Sequence, residues 1–425
     1  MHALARRLFP ICRSITGDGV RQTLSILREH LPTLEITEVP SGTKVFDWTI
    51  PDEWNLREAW ISGPDGRKIV DTATNNLHVV SYSVPVRRRL SLDELQRHLH
   101  SKPELPDAIP YVTSYYSRNW GFCLSQRQRD ALLPGDYEVC IDASLTSGSL
   151  TYGEFRLPGT RDKEILLSTY VCHPSMANNE LSGPIVATFI AKWLMSLQRR
   201  GFGYRLVFVP ETIGTLAFLS RSLDELKRQV AAGFVLTCIG DERAYSYLAS
   251  RRGNTLADRA ARHSLKHLVG SFNTYDYLDR ASDERQYGFP TVDLPVCSLM
   301  RSKYGTYPEY HTSLDNLDLV TPLGLEGGFR IVKHAIECLE ANQTYRATTV
   351  GEPQLGRYGL YPSLGGAQAS EQVRVMLNLL AYSDGEIDLL AIADLIARPL
   401  PSLLPAVRKL VSAGLLAPSD GHTER

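Results

Sequence analysis

The sequence predicts an α/β fold in which a mostly parallel, mixed sheet lies between layers of helices. A small inserted β-rich domain and a C-terminal winged helix-turn-helix domain complete the prediction. Apolar strands alternate with helices after Pro158, short runs of alternating apolar and polar residues fill the stretch from Glu35 to Glu154, and three helices followed by a strand occupy the C-terminal region. Strands that alternate with helices are typical of a parallel sheet covered on both faces.

Length and charge limit the classes of protein that need to be considered. The chain has 425 residues, with 46 Lys+Arg against 47 Asp+Glu, so we expect two or three domains. A near-neutral chain lacks the basic face that would bind nucleic acids or anionic membranes, so we do not expect nucleic acid as a partner. No apolar run reaches the roughly 20 residues of a membrane span, and the N-terminus carries no secretory pattern. We therefore expect a cytoplasmic protein without membrane contact, whose seven cysteines are reduced thiols.

The elements are predicted in order from the period of the apolar residues. Val20, Leu24, Leu27 and Leu31 recur at helical spacing and predict an amphipathic helix over residues 20–31. In the β-rich stretch, only Leu92 to His100 suggests a helix. The following domain is predicted to contain strands at 164–171, 204–210, 231–240 and 291–300, and helices at 183–200, 216–229, 254–268 and 322–340.

These elements define the predicted domains. Residues 1–38 and 156–345 form a discontinuous α/β domain, and residues 39–155 form the inserted β-rich domain. Residues 346–367 are rich in Gly and Pro and predict a linker. Residues 368–425 form the winged helix-turn-helix, with helices at 370–384, 386–397 and 403–413. Its predicted recognition helix carries only Arg408 and Lys409 as cations, which favours a structural or protein-contact role over DNA binding.

Polar residues follow directly after the predicted strands, where α/β sheets bind their ligands. His173 follows the first of these strands, Glu211 follows the second, and His311 lies beyond the last. Two histidines and one oxygen ligand can hold a zinc ion, and Glu211 could then take a proton from water bound to the metal. The alternative is that each residue is an ordinary polar side chain with its own partners. His263 and His267, spaced i, i+4, are interpreted as part of a solvated helix face.

Several motifs resemble known families. The segments HPSMANNELSG, PETIGT and EYHTSLDN resemble the zinc aminopeptidase superfamily, whose fold is the aminopeptidase/phosphorylase-hydrolase type. Over nearly the whole chain, the sequence more closely resembles a bacterial aminopeptidase-like family with an inserted β domain and a C-terminal winged helix. The motifs that carry this second likeness are SITGDGVRQTL, TSYYSRNWGFCLS, CHPSMANNELSG, PETIGTLAFLS, SDERQYGFP and MRSKYGTYPEYHTSLDNLD.

The resemblance implies roles for individual residues. His173 and His311 match zinc ligands, and Glu211 matches the general base. Asn179 stands where the superfamily has an aspartate that bridges two metal ions, and Glu180 beside it could serve instead. An amide oxygen holds a cation weakly and does not bridge two as a carboxylate does. Thr212 and Thr237 replace two further ligand positions, so we expect at most one zinc ion per chain.

Other residues are candidates for binding the substrate. Asp283 and Glu284 could orient a ligating histidine or bind a substrate amine, or could form an exposed loop salt bridge. Arg301 and Tyr304 could bind a substrate carboxylate, although basic residues on a surface turn need no special role. Tyr310, next to His311, is a further candidate for binding the substrate. The aromatic stretch from Thr113 to Trp120 could form a wall of the cleft or fill a small β core.

Three functions follow, in order of preference. The first is a zinc-dependent hydrolase of aminopeptidase type that cleaves an amide bond in a small amino-acyl or short peptide-like substrate. The second is a degenerate aminopeptidase fold that binds a small molecule or carrier protein without hydrolysis, because Asn179 replaces the bridging aspartate. The third is a ligand-sensing regulator whose winged helix binds DNA. The winged helix could also form a homo-oligomer contact.

Overall fold

The computed structural model describes residues 1–361 and 367–419, with no side chains for residues 367–370. The chain divides into two compact units, Met1–Ala257 with Asn273–Arg330 and Asp258–Phe272 with Ile331–Arg425. The linker predicted at 346–367 and the winged helix predicted at 368–425 lie partly outside the described residues. The domain bounds derived from the sequence stay a prediction.

The first unit begins with two helices and a strand: α1 (His2–Leu8), α2 (Asp18–Arg28) and β1 (Glu35–Pro40). The amphipathic helix predicted near the N-terminus is confirmed as α2, which buries Val20, Leu24 and Leu27 on one face. Leu31 lies beyond the end of this helix and is also buried. The spacing of these leucines therefore marks the face that packs on the core.

The β-rich stretch forms several small sheets. Its elements are β2 (Lys44–Val45), β3 (Trp48–Thr49), β4 (Glu53–Ser62), β5 (Lys68–Asp71), β6 (Val86–Ser91), α3 (Leu92–Leu95), β7 (Leu99–His100), β8 (Phe122–Cys123), α4 (Gln126–Asp130) and β9 (Asp136–Thr146). Strands β5, β4, β9 and β6 form an antiparallel sheet in that order, β2 and β3 form a hairpin, and β7 pairs with β8. Residues 41–147, which contain these elements, form the β-rich segment.

The rest of the first unit supplies the central sheet and its helices. Its elements are β10 (Ser149–Leu157), β11 (Glu164–Tyr170), α5 (Ser182–Ser196), β12 (Gly203–Val209), α6 (Ile213–Gln229), β13 (Val230–Leu236), β14 (Ser246–Leu248), α7 (Leu256–Leu268), β15 (Asn273–Tyr275), α8 (Glu284–Tyr287), β16 (Val296–Met300) and α9 (Pro322–Ala341). Two of these helices, α7 and α9, extend into the second unit. The sheet has eight strands in the order β1-β10-β12-β11-β13-β16-β14-β15. Strands β12, β11, β13 and β16 are parallel neighbours, and β1 and β10 run antiparallel to the strands beside them. Strand β14 is antiparallel to β16 and parallel to β15. The predicted mixed, mostly parallel α/β sheet is confirmed.

The alternating runs around Glu35 and before Leu157 were interpreted from the sequence as part of one β-rich stretch from Glu35 to Glu154, but β1 and β10 form one edge of the eight-stranded sheet. Both strands are antiparallel, and an antiparallel edge strand alternates apolar and polar residues just as a strand of a small β domain does. The pattern could not distinguish the two.

The second unit contains a small sheet and three helices besides parts of α7 and α9. Its other elements are β17 (Thr344–Ala347), α10 (Ala367–Tyr382), β18 (Asp384–Asp388), α11 (Leu389–Leu395), α12 (Leu400–Ser412) and β19 (Leu416–Pro418), and the sheet order is β18-β17-β19. The helix predicted from Glu386 begins later, because residues up to Asp388 are in β18. Asp388 then caps α11 by accepting a hydrogen bond from the Ala391 N–H at 2.9 Å.

No single helix in the described ranges is long and apolar enough to cross a membrane. Helices α11 and α12 reach such a composition only when taken as a pair, and the chain bends by 113° between them.

Helix α5 approaches the central sheet closely at Gly183. A Cβ atom there would lie 2.2 Å from the Leu236 carbonyl oxygen and 2.3 Å from Thr169 Oγ1. We expect Gly183→Ala to lower the free energy of unfolding by about 1–3 kcal/mol, because helix and sheet must separate. Urea unfolding measures this. Gly203→Ala is the matched control, since its Cβ would meet no atom of the described chain closer than 3.5 Å; equal losses in both variants would contradict the close packing.

Candidate active site

The carboxyl ends of the parallel strands bring the three central candidates together. His173 follows β11, Glu211 follows β12, and His311 lies in the loop after β16. The ring centroids of His173 and His311 are 5.5 Å apart. Nε2 of His173 lies 3.6 Å from Oε2 of Glu211. The structure thus gathers side chains that are remote in sequence, as the position of ligand sites in α/β sheets predicts.

The backbone at this edge adopts uncommon conformations. Four residues other than glycine have positive φ: Ser175, Thr212, Cys238 and His311. One turn of π-helix, Ala177–Leu181, precedes α5 and carries the Asn-Asn-Glu motif. Such conformations persist where the surrounding contacts impose them, and they concentrate at functional sites.

The His173 ring has different neighbours on its two sides. Nδ1 lies 2.8 Å from Oε2 of Glu180 and 3.4 Å from Sγ of Cys172. Nε2 faces Glu211 and the cavity described below. Burial lowers the pKa of His173 to about 3, so the ring is neutral at pH 7. A neutral imidazole is the form that binds metals.

Glu180 is held against His173 by a buried arginine. Both Arg13 and Glu180 are fully buried, and Arg13 Nε lies 3.5 Å from Glu180 Oε1 while it donates to the His173 carbonyl at 3.0 Å. Burial raises the pKa of Glu180, and the Arg13 charge opposes that rise. The contacts are those of a carboxylate that orients a histidine.

Asn179 belongs to a network of uncharged groups. Its Nδ2 donates to the Tyr170 hydroxyl at 2.7 Å, and that hydroxyl also bonds to Thr237 Oγ1. Its backbone N–H donates to Asp315 Oδ2 at 2.9 Å. The Asn179 Oδ1 atom is buried and has no hydrogen-bond partner among the described residues. That oxygen remains available for a cation.

Glu211 is fixed through both its backbone and its side chain. The Cys172 sulfur accepts its backbone N–H at 3.2 Å, and Oε1 accepts the Ser282 hydroxyl at 2.7 Å. The side chain is 24% exposed, and Oε2 is the atom nearest His173. Burial and the neighbouring Asp283 carboxyl raise the pKa of Glu211. Asp283 is itself buried, its Oδ1 accepts the Thr212 N–H at 2.8 Å, and burial raises its pKa as well.

His311 completes the cluster. Its Nε2 is buried without a hydrogen-bond partner in the part of the chain that the structure describes. The ring stacks on Tyr310 with centroids 4.0 Å apart, and Tyr111 meets it edge-on at 5.2 Å. Burial lowers the pKa of His311 to about 3, so this ring is also neutral. Tyr310 therefore positions the histidine.

Three predicted substrate-binding residues have partners within the protein. Glu284 accepts hydrogen bonds from Ser282 N at 3.0 Å and from the Tyr304 hydroxyl at 2.6 Å. Arg301 donates to the Ala244 carbonyl at 2.6 Å, and its guanidinium lies over the Tyr245 ring. Glu284, Arg301 and Tyr304 are not among the described residues that line the cavity beside His173. Their substrate-binding role has no support from this geometry.

A cavity of about 300 Å³ opens beside the two histidines. Cys172, His173, Glu211 and His311 line one side. The β-rich segment supplies much of the rest through Trp48, Tyr111, Thr113, Tyr115 and Tyr116, and Ile15, Thr212, Ile213 and Arg285 complete it. Of the two readings of the stretch from Thr113 to Trp120, the structure supports the cleft wall for its first residues. Trp48 and Tyr111 were not predicted as lining residues, because none of the quoted motifs contains them. Arg285 lies in the SDERQYGFP motif, but its spacing does not mark it as a lining residue.

The residues present fit one divalent metal ion. Zinc accepts nitrogen and oxygen ligands. Two buried neutral imidazoles and a carboxylate meet here, and His311 Nε2 and Asn179 Oδ1 are buried polar atoms without a described partner. Among the described residues at this edge, Cys172, His173 Nδ1 and Glu180 offer potential donor atoms that lie within 4.8 Å of one another. The adjacent Arg13 charge makes that side of His173 unfavourable for a cation.

The second unit has one further histidine cluster, which is structural. His263 is buried, so its assignment to a solvated helix face was wrong. Its Nε2 accepts the Leu400 N–H at 2.9 Å, and its Nδ1 therefore carries the hydrogen that it donates to Asp394 at 2.7 Å. Neither nitrogen is left for a metal. The seven cysteines are free thiols, as predicted.

Comparisons with known proteins agree with this architecture. A family model described as "Domain of unknown function (DUF4910)" matches residues 2–342, and a "winged helix-turn-helix" model matches residues 343–418. A "Putative polysaccharide biosynthesis protein with aminopeptidase-like domain" from Clostridium acetobutylicum is 47% identical over 395 residues, which are 92% of this chain and 90% of that protein.

Solved structures extend the comparison to the fold. The crystal structure of a "putative peptidase" from C. acetobutylicum is similar with a TM-score of 0.92 and 45% identity, covering 98% of this chain and 95% of the other. A zinc aminopeptidase from Bacillus subtilis shares the fold, with a TM-score of 0.57, 13% identity and coverage of 80% and 93%. The chain belongs to the DUF4910 family and combines a zinc aminopeptidase-like fold with a C-terminal winged helix-turn-helix.

Proposed function

We propose that the protein is a hydrolase that binds one zinc ion and cleaves an amide bond in a small amino-acyl or peptide-like substrate. The observation that carries this is the meeting of two neutral, buried imidazoles with the Glu211 carboxylate at one cavity. His173 and His311 would hold the metal through Nε2, with Asn179 Oδ1 as a further oxygen donor. The zinc ion would act as a Lewis acid and lower the pKa of water at the site.

The side chains of this chain have separate tasks in the reaction. Glu211 would take a proton from the attacking water at its free Oε2 and pass it to the leaving amine. The Ser282 hydroxyl holds the other oxygen of this carboxylate at 2.7 Å and so fixes its direction. Glu180 would bind the Nδ1–H of His173 and thereby direct Nε2 to the cavity. We therefore assign Glu180 a positioning role and not that of a ligand.

The cavity supports a small substrate. A volume of about 300 Å³ is at the lower end of the range for small-molecule sites. Aromatic rings from the β-rich segment surround it and would exclude water from the reacting groups. The description of the Clostridium relative as a polysaccharide biosynthesis protein agrees with a small biosynthetic substrate. Digestion of long proteins has no support in this geometry.

The second candidate function is ligand binding without hydrolysis. Asn179, Tyr170 and Thr237 are neutral groups that hydrogen-bond to one another, and Asn179 and Thr237 occupy two of the positions where the superfamily has carboxylate ligands. Thr212, at a third such position, accepts a hydrogen bond from Arg285. This arrangement favours at most one metal ion. If the protein does not bind that one ion, it has no metal to activate water, and the site can recognise a ligand without hydrolysing it.

The metal content of the purified protein tests the proposal. We expect about one zinc ion per chain by plasma mass spectrometry and its loss in His173→Ala, because the variant lacks one of the two imidazole nitrogens that would hold the ion. His30→Ala, a histidine that does not line the cavity, should keep the metal. Release of amine from amino-acyl amides would complete the support. Absence of zinc from the parent protein after zinc is supplied would overturn the hydrolase and favour the second candidate.

A further inference from the structure

We infer that Arg285 binds a carboxylate of the substrate and makes the site selective for short amides that carry a negative charge close to the scissile bond. This inference rests on the proposed function for the amide bond itself. Arg285 lies in the short helix α8 and lines the cavity together with His173 and Glu211. It is the one arginine or lysine among the described lining residues.

Arg285 lacks the acidic partners that several other arginines of the first unit have. Arg205 lies between Glu154 and Glu164, and Arg243 forms a two-point ion pair with Glu309. Arg285 has no carboxylate oxygen within 4.0 Å among residues 1–361 and 367–419. The one described hydrogen bond of its guanidinium runs from Nη2 to Thr212 Oγ1. The guanidinium therefore keeps most of its donors for a ligand.

The neighbouring carboxyl groups are bound to other donors. Glu284 accepts from Ser282 N and the Tyr304 hydroxyl, and Asp283 accepts from Thr212 N. Glu211 accepts from the Ser282 hydroxyl. Arg285 is thus a charged, donor-rich group on the cavity wall, and a planar guanidinium matches a carboxylate with two parallel hydrogen bonds.

The position of Arg285 limits the length of the substrate. Thr212 accepts a hydrogen bond from the Arg285 guanidinium and directly follows Glu211, the proposed general base. A carboxylate at Arg285 would therefore be only a few bonds from the amide that reacts. The terminal carboxylate of a dipeptide, or of an acylated amino acid, has this spacing. The same carboxylate would be repelled by Glu211 if Arg285 were absent.

Two peptides that differ only in charge test the inference. Alanyl-glycine carries a terminal carboxylate, and alanyl-glycinamide replaces it by a neutral amide. We expect Arg285→Met to lower kcat/KM for alanyl-glycine by about 10- to 100-fold, since a hydrogen bond to a charged group is lost, and to leave the rate with alanyl-glycinamide within about threefold. Arg280→Met is the matched control, because Arg280 is exposed and packs on Tyr277. Equal losses with both peptides would overturn the inference and indicate a structural role.

Binding separates this inference from the proposed function. Calorimetry with the Glu211→Gln variant measures affinity for the same two peptides without turnover. Tighter binding of alanyl-glycine that depends on Arg285 supports the inference, even if the parent protein hydrolyses neither peptide and the proposed hydrolysis is thereby overturned. Equal affinity for the two peptides, or binding of neither, overturns the assignment of Arg285.

Discussion

Glu211→Gln is expected to lower kcat for amide hydrolysis by about 10²- to 10⁴-fold, which is the contribution of a well-placed general base. Glutamine keeps the shape of the side chain and can still accept the Ser282 hydroxyl at the atom that replaces Oε1. It cannot take a proton from water. KM and the zinc content should change little, because the two histidines are unaltered. Steady-state kinetics with amino-acyl amides and plasma mass spectrometry measure these quantities.

A matched variant controls for the loss of one negative charge. Glu309→Gln removes a carboxylate that pairs with Arg243 and does not line the cavity. We expect this variant to keep the parent rate. Full activity in Glu211→Gln would exclude Glu211 as the base. A loss of zinc in Glu211→Gln would instead make this residue a metal ligand.

Arg13→Met is expected to lower the free energy of unfolding by about 3–5 kcal/mol, because it leaves the Glu180 carboxyl buried without its cation. Both side chains of this pair are 0% exposed. The same change removes the hydrogen bond from Arg13 to the His173 carbonyl. Urea unfolding of the full chain, followed for the first unit by tryptophan fluorescence, measures the loss. The five tryptophans all lie before residue 194.

Two further variants show whether the effect comes from the buried pair. Arg7→Met breaks an Arg–Glu pair with Glu29 that is about half exposed, and it should lower the free energy of unfolding much less than Arg13→Met, because solvent screens an exposed pair. The double variant Arg13→Met with Glu180→Leu removes both charges and should recover part of the loss. If the exposed and buried pairs cost the same, the environment of Glu180 is more polar than the structure shows.

The central sheet and the three main site residues were predictable from the sequence for physical reasons. A strand buried on both faces needs a continuous apolar run, and the residue after such a run lies at the sheet edge where ligands bind. This logic placed His173, Glu211 and His311 correctly at one edge. Asn179 also follows β11 and has a buried Oδ1 without a described partner, but it is not among the described residues that line the cavity.

The remaining features depend on contacts between distant segments. Glu284, Arg301 and Tyr304 follow or precede strands as the site residues do, yet their side chains bond to other protein groups. The direction of a side chain in a loop is not encoded in its spacing. Trp48 reaches the cavity only because the β-rich segment folds over the sheet edge. Arg285 lies in the SDERQYGFP motif, but the motif does not show that its side chain lines the cavity without a carboxylate oxygen within 4.0 Å.

The two walls of the cavity come from different parts of the chain. His173 and Glu211 follow strands of the central sheet, whereas Trp48 and Tyr116 belong to the β-rich segment. Substitutions at Trp48 and Tyr116 can therefore alter the shape of the entrance, but Tyr111 of the same segment meets the His311 ring edge-on and has to be kept. Divergence between relatives can proceed at the entrance, and an engineer who grafts a foreign segment there has to preserve Tyr111 to keep the reaction centre.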